Sequence, residues 1–210
     1  MKITKFEHAC FVVEQDGKSL IVDPGGYTTD LVIPDNVVAV VITHNHTDHY
    51  NDDHLRQIAS KNPDAVIVGL AEVTSQFGDL KTQPVVANEG IKIGEFELEF
   101  FGGQHAVIID GIPVIGNLGV MINSRLYYPG DSFSVPDKPV EILALPVAAP
   151  WMKFSESIEF LRSVKPKLAF PTHDAILSTD GKNLPDMMTP RFAEKIGTEY
   201  KRLVEPLEIE

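Results

Sequence analysis

Four side chains of the kind that bind metal ions lie within six residues of one another: His44, His46, Asp48 and His49. Three imidazoles and a carboxylate suit zinc and similar divalent ions, whereas calcium and magnesium prefer sites built from oxygen atoms. The alternative is a polar, solvated loop whose imidazoles do not converge. Four of the seven histidines of the chain fall between positions 44 and 54, and this clustering favours a metal site.

The sequence on either side of this cluster predicts where it lies in a fold. Residues 37–42 (VVAVVI) form an apolar run rich in β-branched side chains, which is typical of a strand buried on both faces. Asn51, Asp52 and Asp53 then provide a good helix N-terminus, and a helix is predicted over 51–61. The cluster is therefore predicted at the carboxyl end of a central strand, where open α/β sheets keep their ligand crevice.

Three further ligand-type residues each follow a predicted strand, and they are His105, Asp131 and His173. Each lies in a turn with glycine or proline nearby, where the backbone can aim a side chain inward. A single loop histidine is more often an ordinary surface residue than a ligand. Three strand ends that each present one ligand to a common edge nevertheless strengthen the metal hypothesis.

In type and order, these residues resemble the ligand set of the metallo-β-lactamase superfamily of binuclear metallohydrolases. The H-x-H-x-D-H motif of that family is matched by His44, His46, Asp48 and His49. Its three later ligand positions are matched by His105, Asp131 and His173. The resemblance covers nearly the whole chain and implies two divalent metal ions, zinc foremost, with manganese, iron or nickel also compatible with such ligands.

The resemblance also implies a role for each ligand. One ion would be held by His44, His46 and His105, the second by Asp48, His49 and His173, and Asp131 would bridge them. Two such ions lower the pKa of a shared water toward ~7 and clamp the attacking and departing oxygens. Asp48 and Asp131 are thus the predicted catalytic residues of a hydrolase, with Asp48 also orienting the nucleophile.

Four details narrow the resemblance within the superfamily. Residues 8–13 (HACFVV) and 21–24 (IVDP) resemble a compact branch that includes ascorbate-6-phosphate lactonase-like proteins. Asp131 stands where true zinc β-lactamases have a cysteine, which argues against antibiotic hydrolysis. His46 stands where flavodiiron oxygen reductases have a glutamate, and there is no room for the long insert of the RNA-cleaving branch.

Residues near the expected ligands provide weaker predictions. Asp23 ends the strand before the ligand loop, and we predict that it orients a ligand or the loop backbone. A strand-ending turn aspartate before proline is an equally good interpretation. His8 is predicted on a strand, either as a pocket residue or as a structural histidine, and His54 is predicted on an exposed helix face.

Substrate-binding residues are predicted from position alone. Tyr27, Trp151 and Lys153 are the candidates, and the cation of Lys153 would suit an anionic substrate group. Core packing of Trp151 and solvent exposure of Lys153 are the favoured alternatives. Asp174 is a further pocket residue suggested by its place beside a predicted ligand.

Composition limits the class of protein. The 210 residues predict a single domain, 1–210, and 43% hydrophobic and 23% charged residues are ordinary for a globular chain. A net charge of −12 argues against nucleic acid as a partner. The N-terminus lacks a signal-peptide pattern, no run spans a bilayer, and the one cysteine, Cys10, suits a small buried hydrophobe, so we predict a cytoplasmic protein without a membrane partner. The sequence leaves open whether it forms a homo-oligomer.

The remaining periodicity predicts mixed α and β structure. Hairpins are predicted over 3–14 with 19–23 and over 112–122 with 125–129, and helices over 155–164, N-capped by Ser155, and over 189–202. With the resemblance, this predicts an α+β fold: a four-layer αββα sandwich of two mixed sheets flanked by helices.

Three functions remain in competition. The leading one is hydrolysis of a small ester, lactone or phosphodiester, whose anionic character the sequence leaves open. A di-iron redox protein is the second, but a chain with one cysteine and no recognisable flavin segment has no evident route for electrons. A non-enzymatic metal-binding protein is the third, and the complete ligand set argues against it.

Overall fold

Two seven-stranded β-sheets form the centre of the computed structural model, which describes residues 1–209. The strands of the first sheet are β1 (Lys2–Lys5), β2 (Phe11–Gln15), β3 (Lys18–Val22), β4 (Val37–Ile42), β5 (Val66–Gly69), β6 (Thr82–Pro84) and β14 (Leu207–Glu208). Those of the second are β7 (Gly90–Ile93), β8 (Phe96–Gly102), β9 (Leu118–Ile122), β10 (Leu126–Tyr128), β11 (Ile142–Pro146), β12 (Leu168–Thr172) and β13 (Glu199–Tyr200). The helices are α1 (Asp52–Lys61), α2 (Ala71–Thr74), α3 (Phe154–Val164) and α4 (Thr179–Ala193).

Both sheets are mixed. The first has the order β14-β1-β2-β3-β4-β5-β6, antiparallel up to β3 and parallel from β3 to β6. The second has the order β13-β12-β11-β10-β9-β8-β7, parallel from β10 to β13 and antiparallel elsewhere. Parallel neighbours end at the same edge, so the loops after β3, β4, β10, β11 and β12 can meet there.

Apolar side chains fill three layers between four layers of secondary structure. Phe11, Phe96 and Tyr128 belong to the cluster between the two sheets. Leu55 of α1 belongs to a second cluster on the outer face of the first sheet, and Leu161 of α3 to a third on the second sheet. The predicted α+β fold with its αββα layering is confirmed.

Several local predictions need correction. The strand expected over 3–14 is interrupted between β1 and β2, where His8 adopts a left-handed conformation with φ of 56°, so His8 lies in a turn rather than on a strand. Residues 112–117 are not part of β9. The N-cap of α3 is Lys153 and not Ser155, and the Glu156 carboxylate accepts a hydrogen bond from the Lys153 backbone N–H at 2.6 Å.

The last helix begins ten residues before its predicted start and ends at Ala193. Ser178 caps it by accepting a hydrogen bond from the Gly181 N–H at 3.1 Å. Pro185 and Pro190 lie inside the helix, although proline in a helix interior normally breaks or kinks the helix. Pro185 and Ala193 are buried, and the packing of these side chains outweighs the tendency of proline to break the helix.

None of the helices within residues 1–209 has the length and apolar character needed to cross a bilayer.

Two loops at the carboxyl edge of the first sheet lie in direct backbone contact. The Gly26 N–H donates to the Thr47 carbonyl at 2.7 Å. A Cβ atom on Gly25 would lie 1.7 Å from the Asp48 carbonyl oxygen, far inside van der Waals contact. The loop after β3 therefore supports the 44–49 loop from beneath, and only glycine permits this approach at position 25.

Gly25→Ala should lower the free energy of unfolding by about 1–3 kcal/mol or more, because the new methyl group must displace the 44–49 loop. Urea denaturation would measure the loss. Gly78→Ala is the matched control, since nothing lies within 4 Å of a Cβ there and its φ is −62°. Equal stability of the two variants would contradict the close approach.

Candidate metal centre

Two groups of metal-binding side chains lie at the edge where the two sheets meet. One group contains His44, His46, His105 and Asp131, and the other contains His8, Asp48, His49 and His173. Within each group, the potential ligand atoms lie within 4.8 Å of one another. The structure thus brings together all seven residues predicted as ligands and adds His8.

Each sheet contributes part of this arrangement. The 44–49 loop follows β4 of the first sheet, whereas His105, Asp131 and His173 follow β8, β10 and β12 of the second. Backbone hydrogen bonds join the two edges: the Leu118 N–H donates to Thr43 at 2.9 Å, and the His173 N–H donates to His8 at 3.0 Å. The ligand set is therefore assembled across the two sheets.

Three imidazole rings are oriented in the same way: Nδ1 points away from the centre of the site and is held by a hydrogen bond. The Nδ1 atoms of His49, His105 and His173 lie 2.7, 2.6 and 2.6 Å from oxygens of Asp23, Ala106 and Ala148. Each of these oxygens is an acceptor, so the hydrogen is assigned to Nδ1 and the lone pair of Nε2 faces the interior of the site. This is the arrangement by which proteins orient metal-binding histidines.

Asp23 orients the first part of the ligand loop. Its side chain is fully buried, and its φ is 42°, a left-handed conformation. Oδ1 accepts from the Thr43 N–H at 2.8 Å, and Oδ2 accepts from the Thr43 hydroxyl at 2.7 Å. The Thr43 hydroxyl oxygen can then accept from Nδ1 of His44, 3.0 Å away, which leaves Nε2 of His44 free. The structure places Asp23 where it supports both His49 and His44.

Asp131 lies between the two groups. Its Oδ1 is 3.2 Å from Nε2 of His49, and its Oδ2 is 3.0 Å from Nε2 of His173 and 3.4 Å from Nε2 of His105. The Trp151 indole N–H donates to Oδ2 at 2.8 Å. Trp151 is 9% exposed, so it contacts Asp131 from the protein interior and holds the carboxylate in place.

A second side chain positions Asp131 from the opposite side. Asn117 is fully buried, accepts from the Asp131 N–H at 2.9 Å and donates to the Pro129 carbonyl at 2.9 Å. Gly130 between them has φ of +63°, and a Cβ there would lie 2.3 Å from Oδ1 of Asn117. The turn that presents Asp131 therefore depends on this contact.

His8 contacts the second group as a hydrogen-bond donor. The Ala175 N–H donates to Nδ1 of His8 at 3.3 Å, so the hydrogen of the neutral ring is assigned to Nε2. Nε2 lies 3.1 Å from Oδ2 of Asp48 and donates to it. Burial lowers the pKa of His8 to about 4, which keeps the ring neutral near pH 7. With Nε2 engaged in this way, His8 acts on Asp48 rather than as a ligand.

Burial and neighbouring charges shift the pKa values of the ligands in opposite directions. Burial, aided by the charge of His49, holds the pKa of His44 well below its usual value. Burial would raise the pKa of Asp48, but the hydrogen bond from His8 and the charge of His49 lower it overall. Burial would lower the pKa of His49, but the charges of Asp131 and Asp23 raise it well above its usual value. A cation at Nε2 would thus replace a proton on His49.

The donor set fits a divalent metal ion. Among the described residues, four buried atoms of this site lack a hydrogen-bond partner: Nε2 of His49, His105 and His173, and Oδ1 of Asp131. Buried polar atoms without partners are costly, and four of the seven such side-chain atoms among the described residues belong to the two groups, the other three being hydroxyl oxygens of Tyr128, Thr172 and Thr189. Nε2 of His44 and Nδ1 of His46 lie 3.1 Å apart, near the ~3.3 Å expected between two nitrogens on one tetrahedral zinc ion.

The remaining predicted residues lie outside the two groups of candidate ligands. Tyr27 is 49% exposed, and its ring contacts that of His8 edge-on, with the centroids 5.1 Å apart. Lys153 is exposed at the start of α3. Asp174 is buried and pairs with Arg202 at 2.5 Å. His54 is partly buried rather than exposed, because its Nδ1 lies 3.1 Å from the Pro24 carbonyl and donates to it.

Two pockets flank the site. The larger has a volume of about 410 Å³ and is lined by charged residues that include Lys5, Asp174 and Arg202, without any of the seven predicted ligands. The smaller, of about 250 Å³, is lined by His46 and His105 together with aliphatic residues of the 106–115 segment. Contact with ligand side chains makes the smaller pocket the better candidate for substrate.

The sequence did not reveal the roles of His8, Asn117 and the 106–115 segment. His8 is separated by 40 positions from the carboxylate that it orients, and no local pattern reports such a pairing. The 106–115 segment has a visible signal, since it is apolar without forming a strand. Its later part falls in the strand predicted over 112–122, because strands are also apolar.

Comparison with known proteins agrees with this arrangement. The pattern of the family described as the beta-lactamase superfamily domain matches residues 2–173. A protein of Mycobacterium tuberculosis is 33% identical, over 98% of this chain and 97% of its own length. A protein of Carboxydothermus hydrogenoformans, named a metal-dependent hydrolase, is 28% identical, over 82% and 84%.

The fold is also found in solved structures. A metallo hydrolase of the archaeon Ignicoccus hospitalis superposes with a TM-score of 0.74 at 18% identity, over 100% of this chain and 99% of its own. The narrower likeness to ascorbate-6-phosphate lactonase-like proteins stays a prediction. With the family pattern spanning every predicted ligand from His44 to His173, the chain belongs to the beta-lactamase superfamily.

Proposed function

We propose that this protein is a binuclear metal-dependent hydrolase that cleaves a small ester, lactone or phosphodiester. The observation that carries the proposal is the position of Asp131, whose two carboxylate oxygens face imidazoles of both ligand groups. Relatives named as hydrolases support it. The cytoplasmic location stays a prediction from the sequence, which leaves the assembly state open.

In this proposal the two groups hold one ion each. His44, His46 and His105 would hold the first ion, Asp48, His49 and His173 would hold the second, and Asp131 would serve both. Two divalent ions held there, with zinc the best fit to imidazole ligands, would polarise the scissile bond and lower the pKa of water toward ~7. Hydrolysis then adds hydroxide to the acyl or phosphoryl centre and a proton to the departing oxygen.

The protein side chains would orient these groups and leave one face open. Most ligand residues are buried, but His46 is partly exposed and the Asp48 side chain is 23% exposed. Substrate and water therefore reach the site from the side of the 44–49 loop. The free oxygen of Asp48 would accept a hydrogen bond from the attacking water, while His8 holds the other oxygen.

The protein purified without chelator should contain about two metal ions per chain, measured by mass spectrometry. Trp151 is the only tryptophan and donates to Asp131, so its fluorescence should also change as zinc is added to metal-free protein.

His44→Ala should lose the first ion. Asp131→Ala should lose most of the hydrolysis, measured on aryl esters and on bis(4-nitrophenyl) phosphate.

His54→Ala is the control for these variants, because His54 lies beside the ligand loop but outside both groups. It should keep both ions and full activity. Full activity of Asp131→Ala would contradict the bridging role, and absence of metal after reconstitution would contradict the proposal as a whole. Two irons with oxygen consumption would support the di-iron redox alternative.

His8→Ala should weaken binding of the second ion by about 10–100-fold, the usual effect of removing a group that orients a ligand. The first ion should bind as before, because the hydrogen bond of His8 goes to Asp48 of the other group. Calorimetric titration of metal-free protein with zinc would resolve the two affinities.

His8→Gln provides the matched test, since its amide can still donate toward Asp48. It should recover a large part of the lost affinity. Equal weakening of both ions in His8→Ala, or no recovery in His8→Gln, would show that His8 serves the fold rather than Asp48.

A further inference from the structure

An apolar pocket adjoins the first ligand group. Its volume is about 250 Å³, and its lining combines His46 and His105 with aliphatic side chains that include Ile108, Ile112 and Val114. Neither a carboxylate nor a lysine or arginine is among the described residues that line it. Lys153 is not among the lining residues either, so the pocket presents an uncharged, apolar wall.

The segment that forms this wall is anchored to the metal centre at both ends. The His105 N–H donates to the Ile115 carbonyl at 3.0 Å, and the Ala106 N–H donates to the Asp131 carbonyl at 2.8 Å. Gly116 follows and packs so closely that a Cβ would lie 2.5 Å from a methyl group of Leu70. The pocket is therefore fixed relative to the ligands, as a substrate subsite must be.

The apolar side chains of this segment are unusually exposed. Ile112 is 50% exposed and Val114 is 45% exposed, although both are aliphatic and neighbours in one wall. Exposed apolar clusters on a protein commonly mark a binding site. A concave shape with two ligand histidines in its lining favours a small molecule over a flat protein partner.

We propose that this pocket binds an uncharged apolar group of the substrate, attached to the bond that is cleaved. The inference rests on the proposed hydrolase function and specifies its substrate class. A cavity of 150 Å³ accommodates benzene, so 250 Å³ suits a group of roughly six to nine carbon atoms. Hydrophobic esters or lactones are then the preferred substrates, rather than small anions.

A chain-length series tests the inference on zinc-loaded protein. The probes are 4-nitrophenyl acetate, butyrate, hexanoate, octanoate and dodecanoate. The ratio kcat/KM should rise by up to about fourfold for each methylene buried, and should stop rising beyond roughly six to nine carbons. A flat series, or one that falls from acetate onward, would overturn the inference.

Two variants separate the pocket from its surroundings. Ile112 lines the pocket, so Ile112→Ser should flatten the series, with the loss of kcat/KM confined to the longer esters. Val107→Ser is the matched control: Val107 is 61% exposed in the same segment but is not among the lining residues, so its series should match the unaltered protein. Because both positions are at least half exposed, neither substitution threatens the core. Equal slopes in the two variants would contradict the assignment.

A binding measurement on metal-free protein distinguishes failure of the subsite from failure of the hydrolase. 1-Hexanol should shift the NMR signals of the Ile108, Ile112 and Ile115 methyl groups, and ethanol at the same concentration should not. Shifts with hexanol but no hydrolysis of any probe would retain the subsite and refute the hydrolase. Hydrolysis with no shifts and a flat series would retain the hydrolase and refute the subsite. If the protein forms a dimer that Ile112→Ser dissociates, and the ester series is flat, the segment binds a second copy of the chain instead.

Discussion

The metal centre depends on the hydrogen bonds made by one buried carboxylate, that of Asp23. It binds the backbone and hydroxyl of Thr43 and the imidazole of His49, and through Thr43 it also orients His44. A buried carboxylate is costly unless its oxygens are satisfied, and here its partners are residues that need a fixed orientation. One residue at the end of β3 thereby sets the geometry of the loop after β4.

The second constraint is electrostatic. Imidazoles and carboxylates crowd the edge where the sheets meet, and several of their buried atoms lack partners among the described residues. Such a cluster lowers the stability of the metal-free protein, since each unpaired buried polar atom forfeits its hydration. A cation bound there would satisfy these atoms together, and metal affinity and folding stability would then be coupled. The fold tolerates the cluster because three apolar layers stabilise the sandwich around it.

The surroundings of the ligands bear on substrate choice more than the ligands themselves do. The candidate ligands match the motif of a superfamily, and one fold can support many reactions. Beside His46 and His105, the apolar 106–115 segment forms a pocket wall. In the proposed subsite, this aliphatic wall would discriminate between substrates by contact area. The charged pocket near Arg202 is lined instead by Glu7 and Asp174, the chain neighbours of His8 and His173.

The sequence alone predicted the candidate ligands, which the structure brings together, and the strands that precede them. Their signals are local: a dense histidine motif after a β-branched run, and ligand residues in turns after strands. The tertiary structure decided which side chains orient those ligands, because Asp48 with His8, Asp131 with Asn117 and Trp151, and His173 with Ala148 are distant in sequence. It also decided the extent of α4, where burial of Pro185 outweighs helix propensity, and the use of 112–117 as a pocket wall, since apolar periodicity does not distinguish a strand from an exposed loop that binds a ligand.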